Sequence, residues 1–293
     1  MSATSAALQE LGQFLRSRRS QLQPREVGLA PRGGERRRVS GLRREEVAQL
    51  VAISTDYYTR IEQGRLPPSE PVFAALVRAL RLDEEQSDYL LKLLARAGTP
   101  PARARDRTRA PRQPVRPQLA RLLGQLDRVP ALVFGRYLDI LAWNDLAAAL
   151  LIDFAQIAER DRNYVRLVFT DPTLRARYPE WEQVARTCVA VLRMNAADDP
   201  TGPALSRLVG DLSIASPDFR RWWAERRVAH QNFGTKLVRH PDVGDLTLDW
   251  DSFQQVGNLD QQLIIWSAEP GTDAEQRLAE LRRSIKGVGR DSA

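Results

Sequence analysis

The chain has 293 residues, 43% of them hydrophobic, a formal net charge of +7 and one cysteine, Cys188. That length accommodates two domains, the lone cysteine excludes an intrachain disulfide, and without a run of 18 apolar residues no membrane-spanning helix is expected. The opening MSATSAALQELGQ lacks the basic start and apolar centre of a signal peptide, so a cytoplasmic protein without membrane association is expected.

Charge divides unevenly. Residues 1–116 carry 22 basic and 13 acidic side chains, a net +9, whereas the remainder carries a net −2. Only three of the 44 basic residues are lysine. A coding preference accounts for the choice of arginine but not for the split, so the first part is expected to bind a polyanion.

Residues 6–21 are predicted as a helix with Leu8, Leu11, Phe14 and Leu15 inward. Residues 23–41 follow as a long connection holding Arg36, Arg37 and Arg38, which reads either as a solvated loop or as a source of phosphate contacts. Two helices, at about 42–51 and 54–63, then flank a tight turn at Ala52–Ile53. Val47, Leu50 and Val51 line one face before the turn, and Tyr57, Tyr58 and Ile61 line one face after it. Ser54 is suited to cap the second helix and Gly64 to end it. The opposite face of that helix carries Thr55, Asp56, Thr59, Arg60 and Gln63, a row of hydrogen-bonding groups such as major-groove reading of double-stranded DNA requires. Two further helices, with Leu76 and Leu80 inward in one and Leu90 and Leu93 in the other, complete an all-α five-helix bundle over residues 1–97.

Residues 98–117 are rich in proline and arginine and read as a linker. Residues 118–285 switch to an α+β pattern, and 286–293 form a tail. A helix at 119–126 precedes two short apolar strands, 130–136 and 139–144, joined as a hairpin at Tyr137–Leu138. Helices are predicted at about 145–151, 157–169 and 179–194, then around Leu205–Leu212 and around Phe219–Trp223. Strands follow at 236–239, at Leu246–Trp250 with strict alternation, and at 262–267. An antiparallel sheet covered by helices on one face is expected.

Nothing in this second part favours catalysis. The two histidines, His230 and His240, are ten residues apart, Cys188 sits on the apolar face of a helix, and neither a phosphate-binding glycine loop nor a metal-ligand spacing is present. A protein that is not an enzyme, with no metal and no cofactor, is expected. Trp143, Phe169, Trp181, Phe219, Trp222, Trp223, Trp250 and Trp266 are large aromatics that either fill a core or line an apolar ligand cavity. Cys188 lies among them, and Lys236, Arg166 or Arg193 could hold a ligand's charged head. The rival reading is a dimerisation or protein-interaction module, which an exposed Trp222–Trp223 pair would favour. A homodimer is expected in either case, because one small module reads only half of a two-fold site.

The phrases GLRREEVAQL (41–50) and STDYYTRIEQGR (54–65) resemble the Xre/Cro helix-turn-helix regulators. Together with PALVFGRYLDILAWN (130–144), SPDFRRWWA (216–224) and GTKLVRHPDVGDLTLDW (234–250), the chain resembles the MmyB-like regulators, an actinobacterial type. The resemblance implies a transcription regulator whose second domain is PAS-like and takes a small, lipid-like or fatty-acid-like ligand. It places base readers at Thr55, Asp56 and Arg60, phosphate anchors near Arg44 and at Arg65, and a buried structural pair between Arg19 and Glu62. Arg43, Ser54 and Tyr57 join the phosphate-contact candidates. Two departures stand out: the subgroup's AGVS turn is here Ala52-Ile53-Ser54, and its His-Asp after the tryptophans is here Arg226-Arg227.

Overall fold

The computed structural model describes residues 3–29, 41–98, 114–229, 231–255 and 258–288. Arg36, Arg37 and Arg38, residues 99–113 of the expected linker, and His230 lie outside the described residues. The chain divides into two compact units. The first is residues 1–107 with 193–206 and 223–229; the second is 108–192, 207–222 and 230–293.

The first unit contains α1 (Ala3–Gln21), α2 (Arg44–Val51), α3 (Thr55–Glu62), α4 (Glu70–Ala79) and α5 (Glu84–Gly98). Their apolar faces meet in one core in which Leu11, Leu15, Leu42, Val47, Tyr58, Ile61, Leu80 and Leu90 are all buried. The rings of Phe14 and Tyr89 pack at 5.4 Å between α1 and α5. Leu50, expected in the core, is only half-buried.

Both helices of the central pair end in the same way. Ala52 is left-handed (φ 57°). Its N–H reaches Gln49 O at 3.2 Å and the next N–H, of Ile53, reaches Ala48 O at 3.0 Å. Gly64 is left-handed too (φ 68°), with its N–H on Ile61 O at 2.9 Å and the Arg65 N–H on Arg60 O at 2.9 Å. These are Schellman closures, which satisfy the last carbonyls of a helix and turn the chain sharply. Glycine is required at 64 for a second reason: a Cβ there would lie 2.7 Å from the Gln9 Cα, so the end of α3 rests directly on α1. On the facing side, a Cβ at Gly12 would lie 2.3 Å from the Glu62 carbonyl oxygen.

The second unit is built on a five-stranded antiparallel sheet: β1 (Ala131–Gly135), β2 (Ile140–Trp143), β3 (Phe233–His240), β4 (Gly244–Gln255) and β5 (Asn258–Ser267), in the order β2-β1-β5-β4-β3. The last strand therefore sits in the middle, pairing β1 through Val133↔Leu263 and β4 through Trp250↔Trp266. Leu246, Leu248 and Trp250 of β4 are buried while Thr247 and Asp249 are exposed, the period-two pattern of a strand with one wet face. The central strands are different. Helix α6 (Pro117–Gln125) lays Leu119 and Leu123 on Val133 and Leu263, so part of the second face is covered as well, unlike the one-sided layer expected from sequence.

The remaining helices are α7 (Asp145–Leu150), α8 (Tyr164–Thr170), α9 (Pro172–Ala176), α10 (Trp181–Ala196), α11 (Pro203–Ala215), α12 (Pro217–Glu225) and α13 (Asp273–Val288). Helix α8 is shorter than the 157–169 expected. Asn163 caps it, its side chain accepting from Arg166 N at 3.1 Å and donating to Tyr137 O at 2.8 Å. That anchoring to the β1–β2 turn fixes where α8 begins and leaves residues 159–161 as a 3-10 turn.

Candidate DNA-reading face and ligand cavity

In the first unit, Ser54 caps α3 by accepting from the Tyr57 N–H at 3.1 Å. Tyr58 and Ile61 point into the core. With that face committed, the helical period leaves Thr55, Asp56, Arg60 and Gln63 exposed and Thr59 half-buried. The five residues expected to read bases are thus brought to one open helix face. Arg60 and Asp56 pair with each other across one turn at 3.0 Å, both with more than half of the side chain exposed. A pair so open to water holds weakly and can be exchanged for a base edge.

The phosphate-contact candidates differ among themselves. Arg65 and Ser54 are exposed, and Tyr57 and Arg43 half-buried. Arg44 is engaged from within, its guanidinium lying 2.8 Å from Glu62. Glu62 is the hub here: Arg19 donates to it from Nε at 2.7 Å and from a terminal nitrogen at 3.0 Å, and the carboxylate side chain is only 1% exposed. Burial pushes the Glu62 carboxyl pKa up, but its hydrogen bonds and proximity to Arg19 and Arg44 outweigh that and hold it below the ordinary value. The pair implied by resemblance is present, and it ties α1 to the end of α3.

In the second unit, the aromatic residues separate into distinct groups. Phe169, Trp181, Phe219 and Trp222 form a packed cluster with centroid spacings of 5.3–5.9 Å. Trp143 packs on Phe154 and beneath Arg162. Arg166 is paired with Asp211 at 2.7 Å. Arg193 is buried within the first unit, bonded to Glu10 at 2.8 Å and to the Trp223 carbonyl. Of the pocket candidates, only Cys188 and Lys236, with Trp250 and Trp266, share a cavity of about 50 Å³. Phe134, Tyr164 and Ile264 are further walls that sequence reasoning did not single out. The strand alternation carried part of that signal, since Phe134 and Ile264 are each set against the Val133 and Leu263 that face α6.

Lys236 reaches the cavity because of register. On β3 it alternates with Gly234 and Val238, opposite Trp250, Leu248 and Leu246 of β4, and this is the apolar face of the sheet. Gly234 leaves room for the Trp250 indole, which a Cβ would meet at 3.0 Å. The Lys236 ammonium lies 4.9 Å from the Trp250 ring centroid and 5.8 Å from that of Tyr164. Lys236 is half-buried, and its partial withdrawal from water lowers its pKa, partly opposed by the neighbouring Cys188. Burial also pushes the Cys188 thiol up to about 11, which keeps it protonated and unreactive. Tyr164 and Tyr178 share a hydrogen bond at 2.6 Å beside them. Among the described residues no group of histidine, cysteine and carboxylate side chains is placed to hold a metal ion, and no helix is long and apolar enough to cross a membrane.

A search of curated proteins finds no match. Family models do match. One described as a helix-turn-helix domain covers residues 10–90, the part that presents the open face of α3. Another, described as an MmyB-like transcription regulator ligand binding domain, covers residues 115–281, including the sheet and the Lys236 cavity. The chain belongs to the MmyB-like transcription regulators, with a helix-turn-helix DNA-binding part and a ligand-binding domain.

Proposed function

We propose that this regulator reads a two-fold duplex site as a homodimer, with α3 in the major groove, and that a small ligand in the Lys236 cavity controls it. The observation that carries the DNA half is the exposed row Thr55, Asp56, Thr59, Arg60 and Gln63 on a helix whose other face is locked in a core. Arg60 is the reader of guanine and Asp56 an acceptor from cytosine, while Arg43, Arg65 and the Ser54 end of α3 meet phosphates. Gel shifts with a two-fold site, a half-site and unrelated duplex test this. Binding that is indifferent to sequence at physiological salt would remove the regulator reading.

For the ligand, cavity volume supports a compact molecule rather than a fatty-acid-like chain. A water needs about 10–15 Å³ by the same measure, so a space of about 50 Å³ holds a ligand of a few non-hydrogen atoms. A long chain would require the walls to part. The alternative of an interaction module without ligand is favoured less, because Trp222 is 3% exposed within the Phe169 cluster and Trp223 is half-buried, so the pair is not fully open. Thermal melts of the full chain with short and long carboxylates, together with mass spectrometry of molecules extracted from the purified protein, test the ligand half.

A further inference from the structure

The chain has three lysines, Lys92, Lys236 and Lys286, among 44 basic residues. Lys236 lines a cavity, in a protein that otherwise uses arginine nearly everywhere. An arginine there would satisfy a need for positive charge and could not give up its proton; an amine can. The rings of Trp250, Tyr164 and Tyr178 stand 4.9–6.0 Å from Nζ and favour its ammonium form, while withdrawal from water favours the amine. Among the described residues the one titratable side chain acting on it is Cys188, a neutral thiol, and no carboxylate does.

We propose that Lys236 is a covalent capture site for a small apolar aldehyde or ketone, which condenses with Nζ to form an imine inside the cavity. This rests on reading the cavity as the regulator's ligand site. The neutral amine, favoured by its burial, attacks the carbonyl carbon, forming the C–N bond as the C–O π pair moves to oxygen. The two amine hydrogens then leave with that oxygen as water, and the C=N bond forms; no oxidant or reductant is involved. Trp266, 1% exposed in the same wall, has an indole N–H with no hydrogen-bond partner. It is a spare donor for the carbonyl oxygen as charge develops there. A volume of about 50 Å³, by the measure in which one water needs about 10–15 Å³, fits a molecule of the size of butanal.

The test uses the full-length protein with butanal, reduced in situ by borohydride and read by intact mass and peptide mapping. The expected result is one near-stoichiometric adduct, equal to the aldehyde mass less one oxygen, on the peptide containing Lys236, with only trace labelling of Lys92 and Lys286. Lys236→Arg removes it. Because the mapping is made on the unaltered protein, it does not depend on how that variant folds. No adduct, or equal labelling of the three lysines, overturns the proposal. Butyrate separates the two ideas: if it raises the melting temperature while butanal leaves no adduct on Lys236, the cavity binds anions and only the covalent chemistry fails. If neither compound shifts the melt nor labels Lys236, the ligand-site reading fails with it.

Discussion

Replacing Glu62 by alanine removes the acceptor on which the helix-turn-helix is assembled. Arg19 donates to it twice, at 2.7 and 3.0 Å, and Arg44 once, at 2.9 Å. With 10% of the Arg19 side chain and 1% of the Glu62 side chain exposed, water cannot replace what is lost. Stranding a buried charge in this way costs about 3–5 kcal/mol. Arg19 keeps one bond, to Leu42 O at 2.6 Å, which places the expected loss near the lower end, about 3 kcal/mol. At about 4 °C per kcal/mol for a unit of this size, the melt falls by roughly 12 °C. Far-UV circular dichroism reports the helical loss, while tryptophan emission follows the second unit, where five of the six tryptophans lie. The early transition should therefore appear in the first signal and not in the second. Acidification adds a sign test. The folded-state Glu62 pKa is held below its ordinary value, so its contribution is complete above about pH 4.3. It is lost as pH falls through the lower folded-state value, and the gap between wild type and variant narrows only there. Arg44→Ala, with that side chain 39% exposed, should cost far less. A Glu62→Ala variant within about 1 kcal/mol of wild type at neutral pH would refute the hub.

Three other outcomes are expected. Arg60→Ala should weaken binding to the preferred duplex by about 1–3 kcal/mol and relax sequence preference at one base pair, with little change on unrelated duplex; a uniform loss on all duplexes in a filter-binding or gel-shift titration would assign Arg60 to phosphate instead. Ala52→Gly should stabilise the first unit by about 0.5–1 kcal/mol, because relief of the left-handed strain of about 1–2 kcal/mol exceeds glycine's entropic cost; urea denaturation reads the gain, and a loss would mean that Ala52 is not strained. His240 is buried, with Nε2 on Ala149 O at 3.0 Å and Nδ1 accepting from Asp242 N at 3.2 Å. Burial lowers its pKa, so stability is fully present above the ordinary histidine value of about 6.5 and declines as pH falls toward the lower folded-state value. Melts followed by tryptophan emission between pH 7.5 and 5 (about one charge's worth of titration) should show that decline, and a flat profile in His240→Gln.

Much of the first unit was legible because its information is local. Helical spacing gave α2 and α3, Ser54 and Gly64 marked their limits, and the committed core face of Tyr58 and Ile61 left a single side for reading DNA. Leu50 departs from expectation for a tertiary reason: a periodic position says which face a residue shares, not how deeply neighbours cover it. In the second unit the strands were legible one by one, but their order was not. Placing β5 between β1 and β4 requires pairings far apart in sequence, and no local pattern specifies them.

The same distinction explains the cavity. A count of aromatic residues cannot tell a ligand wall from a filled core. In the structure Phe169, Trp181, Phe219 and Trp222 pack against one another as a filled cluster. What marks a site is a residue whose chemistry its neighbours leave unanswered. Lys236 is such a residue: β3 register turns it toward the apolar face, Gly234 admits the Trp250 ring above it, and no acid neutralises it among the described residues. A solvated lysine on the other face of β3 would be unremarked, since Thr235 and Arg239 there pair with Asp249 and Asp245 at 2.6 and 2.8 Å. A shift of β3 by one residue would exchange those faces. The place of Lys236 in the cavity wall is thus set by register, through its pairing with Leu248.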